Sequence, residues 1–364
     1  MAGAGNPKKV VYLFGAGATQ AEASFRGGEK INMLMKDSDS LGDGISKRVL
    51  KKAGTDVLLD LPKDGKIDIE KLISLLANTG IEKYEGEAEK LRKLYFREIL
   101  DGLSKTGVLY EPKLAIALLE MHKNEEYRDK IEVLSCIISL NHDNLFQTAM
   151  KKVYSALNLG FKCESKYYKI SANHEIPMLI HLHGAFNWLN GLPIKILKLT
   201  EKTIPKKAAL WIPPTILKES KNYPYNKLMG LAYELLSKKC DILRVVGCSL
   251  SQNDWNLISL LFNAQYYQYH FNKKRCFRIE LIMDHVTGIN IKNEYAQLKD
   301  MFPIGDLHDG KFKIFLPKKR KILPKDSEVN NPFKYWIKEK ANYHAIKHGI
   351  SFKKSSDIFN EVVT

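Results

Sequence analysis

The chain has 364 residues, 45% of them hydrophobic, so it can bury a large core as one domain with an insertion or as two domains. Its 57 basic and 41 acidic residues give a formal charge of +16, which favours contact with an anionic partner without identifying one. No stretch approaches the ~20 apolar residues of a membrane span, and the first apolar run, Val10 to Phe14, is shorter than the roughly 7 residues of a secretory signal.

Four β-rich runs stand out along the chain. They are "KVVYLFGAGAT", "LSCIISLNHDNLF", "DILRVVGCSLSQNDW" and "RCFRIELIMDH", and the first three each lead through turn-forming residues into a helical pattern. Continuous apolar runs that alternate with helices predict an α/β fold: a Rossmann-like, mostly parallel sheet with helices on both faces. In such a sheet, ligands bind beyond the carboxyl ends of the strands.

The section between the first two of these strands predicts helices throughout. "IDIEKLISLLANTG" begins near an aspartate cap, Asp68, and closes with glycine, and "EGEAEKLRKLYFREILDGL" has apolar residues at spacings of three and four. We therefore predict a Rossmann-type core formed by 1–66 and 131–300, with an all-helical insertion at 67–130.

Residues 301–364 form a basic C-terminal extension. It ends in one predicted helix, "PFKYWIKEKANYHAIKHG", on which His344 and His348 are expected at the surface. This extension is expected to pack on the core, although contact with nucleic acid or with a partner subunit stays open. The stretch from Lys162 to Leu182 is ambiguous, with hairpin-like alternation.

Two glycine-containing turns at strand ends are candidate ligand-binding sites. In "FGAGATQ", Gly15 and Gly17 allow a tight turn and close approach to a pyrophosphate at a helix N-terminus, but Gln20 replaces the third glycine of the dinucleotide fingerprint. An ordinary glycine-rich turn is therefore an open alternative. The second turn is Gly247 to Ser249, which equally suits a plain link between a strand and a helix.

The strand end "SLNHDN" presents side chains that compete for backbone hydrogen bonds. With a two-residue period, Asn141 and Asp143 should point to one side of a pocket and His142 elsewhere. The alternative is a helix cap, in which Asn144 could cap while Asn141 points inward.

Histidines and cysteines give little support for a metal. His181 and His183 form an H-x-H pair on one strand face, but no cysteine or carboxylate partners follow at ligand spacing. The five cysteines are widely spaced without a CxxC pair, so we expect free thiols, a reducing cytoplasm and no zinc. These cysteines are Cys136, Cys163, Cys240, Cys248 and Cys276.

Four motifs, "GAGAT", "SLNHDN", "HLHG" and "GCS", occur in the order of a GAG-S/T turn, a T-x-N-x-D strand end, an HG dipeptide and a GTS-type turn. Together they resemble the sirtuin (silent information regulator) superfamily. The wider forms "LNHDNLF", "LHGAFNW" and "GCSLSQND" look more like the sirtuin-like NAD-hydrolysing domains of bacterial antiphage defence systems. The resemblance spans about Lys9 to Asp284, without the helical insertion.

The resemblance implies an NAD-binding cleft, with NAD as substrate. By that resemblance Asn141 orients a water molecule or the ribose, and His183 is the catalytic histidine. Asp143 binds the nicotinamide amide. The pyrophosphate, the adjacent ribose and the adenosine half would be held by Gly15, Ala16, Gly17, Thr19, Gly247 and Ser249. A phenylalanine and an arginine follow the first turn in the family, and Phe25 and Arg26 match them at a spacing two residues shorter. Asp254 resembles an acidic residue with no clear role.

The implied activity is NAD glycohydrolysis that depletes NAD on infection. Sirtuin deacylases carry a four-cysteine zinc module that this chain lacks, which favours water as the acceptor. Three alternatives stay open: a deacylase or ADP-ribosyltransferase, a catalytically silent NAD- or ADP-ribose-binding regulator, and a DNA-binding scaffold that uses the basic cluster at 318–321.

An enzyme that destroys NAD must be held inactive in healthy cells, so the resemblance also implies regulation by assembly. We expect a homo-oligomer and a separate partner. A HerA-type DNA translocase ATPase is preferred, with an Argonaute-like protein as the alternative.

Overall fold

The computed structural model describes most of the chain. The described residues are 6–26, 31–37, 41–54, 69–200, 202–203, 209–212, 222–250, 254–271, 276–283, 289–293, 313–315, 331–352 and 355–364. The expected cap Asp68 and the basic cluster at 318–321 lie outside them.

The described helices and strands follow one another in this order. They are β1 (Lys8–Phe14), α1 (Ala16–Phe25), α2 (Ile45–Ala53), α3 (Ile69–Ala77), α4 (Glu82–Lys105), α5 (Lys113–Lys123), α6 (Glu125–Lys130), β2 (Glu132–Ser139), α7 (Leu145–Tyr154), β3 (Cys163–Glu164), β4 (Met178–His181), β5 (Gly184–Leu189), β6 (Ile194–Ile196), β7 (Ala209–Trp211), α8 (Tyr225–Lys239), β8 (Ile242–Val246), α9 (Trp255–Phe271), β9 (Arg278–Ile282), β10 (Lys313–Phe315), α10 (Pro332–His348) and α11 (Asp357–Val363).

Six strands form an all-parallel sheet in the order β10-β9-β8-β1-β2-β4. The apolar runs at its centre explain the arrangement, because Val10–Phe14 of β1 and all of β8 are buried and so need cover on both faces. The α/β, Rossmann-like fold predicted from the sequence is confirmed. The strand order reverses between β1 and β8, and open α/β sheets bind ligands in the crevice at such a reversal.

Helices cover both faces of this sheet. On one face, α10 packs against α1, α5 and β9, and Phe333, Trp336 and Ile337 are buried there. On the other face, α8 contacts β1, β2 and β4, and α9 packs on α8. The predicted helix of the C-terminal extension, α10, therefore packs on the core. The expected surface position of His344 is wrong, because that side chain is 5% exposed and its ring meets Tyr127.

A buried ionic cluster fixes α10 to the sheet. Arg244 on β8 is fully buried and donates two hydrogen bonds to Glu132 at 2.5 and 2.7 Å and one to Glu280 at 2.7 Å. Trp336 of α10 lies against the guanidinium at 4.8 Å, and Lys340 approaches Glu132 at 3.5 Å. The Arg244 charge keeps the pKa of Glu132 well below its usual value despite burial.

The described part of the section between β1 and β2 contains helices α1 to α6. Helices α2 and α3 both pack on α4, whereas α5 contacts α1, α7, α10 and β2. Gly80, which follows α3, has a φ of +68° and so ends this turn in the left-handed region that glycine adopts without strain. Helix α5 thus belongs to the layer that covers the sheet, whereas α2 and α3 pack on α4.

A second, smaller sheet has the order β3-β6-β5-β7. Strand β5 pairs antiparallel with both β6 and β7. The hairpin considered for residues 162–182 does not form, because β3 joins this small sheet and β4 joins the large one beside β2. The segment from His181 to Gly184 therefore links the two sheets.

Two further observations concern the chain as a whole. Among the described residues, no helix combines the length and apolarity needed to cross a membrane. The five cysteines are free thiols, and Cys136, Cys240 and Cys248 are buried.

Candidate functional site

The two glycine turns pack directly on each other at the carboxyl ends of β1 and β8. The Gly17 amide donates to the Gly247 carbonyl at 2.8 Å. A Cβ atom on Gly15 would lie 2.7 Å from the Cys248 Cα atom, and one on Gly17 would lie 2.7 Å from the Gly247 Cα atom. Gly247 itself has a φ of +56°. Glycine is needed here because two backbones meet, a reason that holds whether or not a phosphate binds.

A chain of hydrogen bonds joins this turn to the polar residues after β2. The Asn141 amide nitrogen donates to the Gly15 carbonyl and to the Thr19 hydroxyl, both at 2.9 Å. Thr19 in turn donates to an Asp143 carboxylate oxygen at 2.7 Å. Asn141 and Asp143 thus point to the same side, as predicted, and converge on Thr19.

The donors of the Asn141 amide are therefore committed to the protein. A side-chain amide has two N–H donors and one carbonyl acceptor, and both donors have partners. The Asn141 side chain is half-buried, so its carbonyl oxygen is the group suited to accept a hydrogen bond from a small ligand. A water molecule or a ribose hydroxyl has the matching donor.

Asp143 caps α7, a role that the sequence analysis gave to Asn144. One of its carboxylate oxygens accepts from the Leu145 amide at 3.0 Å and so satisfies the N-terminus of α7. Asn144 makes no such capping bond, and its amide donates to Thr148 instead. Burial raises the pKa of Asp143, and the bonds from Thr19 and Leu145 act against that rise.

The two histidines of the H-x-H pair lie in different surroundings. His181 is buried and contacts the Asn141 carbonyl at 3.2 Å and the Gln147 amide at 3.3 Å. Burial lowers the pKa of His181 to about 4, so its ring is neutral near pH 7. His183 is only partly buried; its Nδ1 atom lies 3.2 Å from the Leu140 carbonyl, and its Nε2 atom lies 3.6 Å from Asp254.

Sheet register brings Asn141 and His183 to the same edge. Ser139 of β2 is paired with His181 of β4, and the Leu182 amide donates to the Ser139 carbonyl at 3.0 Å. Asn141 and His183 each follow a member of that pair by two residues. They therefore leave neighbouring parallel strands side by side.

An aromatic cluster stands beside His183. His142 packs against Phe186 and Trp211, with ring centres 5.3 Å apart in each case, and its ring centre is 6.1 Å from that of His183. Tyr95 of α4 stacks on Trp211 at 6.2 Å. His142 does point away from Asn141 and Asp143, as predicted, and α4 together with the small sheet encloses one side of the site.

The remaining candidates are spread around the glycine turns. Ala16 is exposed at the first position of α1, and Ser249 is exposed after β8, whereas Thr19 is buried beneath the turn. The Thr19 hydroxyl holds Asn141 and Asp143, which is a different task from the phosphate contact that the resemblance implies. Gln20, in place of the third glycine, accepts from the Met33 amide at 2.5 Å and so fixes the segment that follows α1.

Arg26 does not join these residues. Its guanidinium donates to the carbonyl oxygens of Thr106 and Glu111, at 3.0 and 2.7 Å, at the connection between α4 and α5. The Phe25 ring is covered by Lys334 at 4.8 Å. Both residues therefore bind the surrounding helices to the C-terminal end of α1.

Some residues of the site gave no clear signal in the sequence. Trp211 and Tyr95 come from short or distant elements, and no local pattern links them to a strand end. Asp254 was noticed only through the resemblance. Within the described residues, no group of three or more histidine, cysteine, aspartate or glutamate side chains could hold a metal ion.

Neither a family model nor a curated protein matches the chain. The site itself is therefore the basis for a functional assignment: an asparagine with a fixed amide, a partly exposed histidine beside a carboxylate, and two glycine turns at the carboxyl edge of a parallel sheet.

Proposed function

We propose that this protein is an NAD glycohydrolase, which cleaves NAD to nicotinamide and ADP-ribose. The single observation that carries the proposal is the Asn141 amide, held by Gly15 and Thr19 beside His183 at the carboxyl edge of the sheet. An amide whose donors are occupied presents an acceptor, and that acceptor suits a water molecule or a ribose hydroxyl.

The proposed reaction needs few further groups from the protein. The bond from ribose C1′ to the pyridinium nitrogen breaks, and its electron pair leaves with neutral nicotinamide, so no general acid is needed. A water oxygen forms the new bond to C1′ and its proton passes to His183. The barrier is an oxocarbenium-like transition state, as in other glycosidic cleavages. A histidine suits this proton transfer near neutral pH.

The two ends of NAD would lie on different parts of the edge. We propose that the exposed Ala16 at the start of α1 faces the pyrophosphate, since a helix N-terminus favours negative charge. Gly247 and the exposed Ser249 would follow the adenosine half. Asp143 would approach the nicotinamide amide only through the lone pairs that Thr19 and Leu145 leave, because it is buried.

We also propose that the helical section 67–130 covers this cleft. Helix α4 supports the idea, because Tyr95 stacks on Trp211 and Phe96 packs on Phe186 with ring centres 4.5 Å apart. The contacts join the helical section to the small sheet beside His183. A cover of this kind would exclude bulk water except for the attacking molecule.

The biological role follows from the resemblance stated above and is a proposal in the same sense. The enzyme would act in the cytoplasm of a bacterium, deplete NAD on phage infection and so serve abortive infection. It would work as a homo-oligomer with a separate sensor, such as a HerA-type DNA translocase ATPase or an Argonaute-like protein. The net charge of +16 is compatible with DNA near the assembly.

The test measures nicotinamide release from NAD by the purified protein, alone and with a co-expressed genomic neighbour. Asn141→Ala and His183→Ala should each abolish release while NAD binding persists. Asn263→Ala and His348→Ala are matched controls, because both side chains are exposed on helices away from this edge. They should keep the wild-type rate.

Other outcomes distinguish the alternatives. Release that requires an acylated peptide or another acceptor would identify a deacylase or an ADP-ribosyltransferase. NAD or ADP-ribose binding without release in any assembly would contradict the glycohydrolase and leave a silent regulator. DNA affinity that falls steeply with salt and ignores Asn141→Ala would support the DNA-binding scaffold.

A further inference from the structure

We infer that Asp254 is a positioning residue for His183: its carboxylate holds the imidazole ring and stabilises the charged ring that forms when His183 takes a proton. The inference rests on the proposed function. Asp254 immediately precedes α9, whereas His183 lies between β4 and β5, so the two residues come from different parts of the fold. The two side chains are 15% and 12% exposed, and Asp254 Oδ1 lies 3.6 Å from His183 Nε2.

The contact at Nδ1 determines which ring nitrogen of neutral His183 carries the hydrogen atom. His183 Nδ1 lies 3.2 Å from the Leu140 carbonyl oxygen. A carbonyl oxygen only accepts, so Nδ1 carries the hydrogen atom of the neutral ring, and the proton that charges the ring is the one on Nε2. Asp254 Oδ1 lies 3.6 Å from Nε2, so the charged ring has this N–H group beside the carboxylate. Nε2 is thus the atom that can accept a proton from water.

The carboxylate favours the product of that transfer. Before the transfer, the Asp254 carboxylate faces a lone pair on Nε2. After the transfer, it faces an N–H group of a positively charged ring. The second arrangement is the more favourable, and partial burial weakens the screening by solvent. Among the described residues, Asp254 and His142 are the titratable side chains shown to contact His183, and the His142 ring, 6.1 Å away, carries no negative charge. The Asp254 carboxylate therefore favours the protonated ring.

The proposed reaction releases a proton, and the pair of His183 and Asp254 is suited to receive it. Water attacks C1′, the bond to nicotinamide breaks, and one proton is released for each NAD consumed. His183 Nε2 receives that proton while Asp254 balances its charge, and the proton then passes to solvent because both side chains are partly exposed. Asp254 touches His183 and is not required to touch NAD.

A structural task for Asp254 is the competing explanation. The residue before the first turn of a helix often caps it with a side-chain oxygen, and Asp254 stands directly before Trp255, where α9 begins. Asparagine caps a helix about as well as aspartate does. Asp254→Asn therefore keeps a cap and removes the charge, whereas Asp254→Ala removes both.

The experiment compares wild type, Asp254→Asn and Asp254→Glu, with Glu234→Gln as a control that removes an exposed carboxylate on α8. Nicotinamide release is measured from pH 5 to 9. We expect Asp254→Asn to lower kcat by roughly 10- to 100-fold with KM within about twofold, and to move the acidic limb of the profile to lower pH by about one unit. Asp254→Glu should recover part of kcat, and Glu234→Gln should match wild type.

A second measurement does not need turnover. NMR titration of the His183 ring, assigned by its loss in His183→Ala, reports the pH at which the ring is half protonated. This midpoint should fall by about one unit in Asp254→Asn. An unchanged midpoint or an unchanged kcat would overturn the inference and leave the proposed function standing. A wild-type enzyme without any nicotinamide release would instead defeat the proposed function, and the NMR midpoint would still decide the pairing.

Discussion

Replacing Thr19 with valine would remove one buried hydroxyl group and keep the branched shape of the side chain. Thr19 is 4% exposed, and its hydroxyl donates to Asp143 at 2.7 Å and accepts from Asn141 at 2.9 Å. A hydrogen bond to a charged group contributes about 1.5–3 kcal/mol and a neutral one about 0.5–1.5 kcal/mol. Asn141 is half-buried, so water can replace part of the hydrogen bond that its amide loses. Asp143 is buried, so water cannot solvate its carboxylate. We expect the free energy of unfolding to fall by about 2–4 kcal/mol.

Urea denaturation at pH 7, followed by circular dichroism, measures this change. Thr19→Ser is the matched control, because it keeps the hydroxyl and loses one methyl group, at a cost of about 1 kcal/mol. The Thr19 bond lowers the pKa of Asp143, so the deficit of Thr19→Val should shrink as the pH falls and the carboxyl takes up a proton. The reasoning is refuted if Thr19→Val is as stable as Thr19→Ser, since the hydroxyl would then contribute nothing.

Two further outcomes are expected of the same chain. Gly17→Ala places a Cβ atom 2.7 Å from backbone of the neighbouring turn and should lower the free energy of unfolding by about 1–3 kcal/mol; Gly86→Ala, on open space in α4, should raise it by about 0.5–1 kcal/mol in the same urea assay. Burial lowers the pKa values of three histidines, to about 3 for His122 and about 4 for His181 and His344, and raises that of Glu22 to about 8. The unfolded chain binds more protons at the histidines below pH 6.5 and fewer at Glu22 above pH 4.5, so the histidine contribution is lost as the pH falls from 6.5 and the Glu22 contribution is lost as it rises to 8. The urea midpoint should therefore pass through a maximum near pH 6.5, and a flat profile between pH 4 and 9 would contradict both assignments.

Local patterns in the sequence were sufficient for the central strands. The apolar runs of β1, β2, β8 and β9 predicted them because strands buried on both faces need no alternation. Asn141 and Asp143 do share a side, but a strand period does not explain it, because β2 ends at Ser139 and both residues lie in the turn after it, held by Thr19. The central strands depend on neighbouring residues alone.

Long-range contacts decided what the sequence left open. Thr19 and Asp143 are 124 positions apart, so no local pattern could assign the threonine to the carboxylate. Strand β3 has two residues, which pair with β6 residues 31 positions later, so no test of periodicity could find it. His344 is buried because the surrounding fold places Tyr127 against it, which overrides the polar character of its own helix.

The place of α10 in the fold has a consequence for the order of events during synthesis. Arg244 and Glu132 are buried charges, and the helix that covers them, with Trp336 and Lys340, follows Arg244 by about 90 positions along the chain. Asn331 also donates to the Ala21 carbonyl at 2.7 Å, across 310 positions. Chains emerge from the ribosome N-terminus first, so the sheet stays incompletely covered until α10 has been made. A nascent chain without α10 would hold Arg244 and Glu132 open to water, and the fold that carries the candidate site would close only after α10 has joined it.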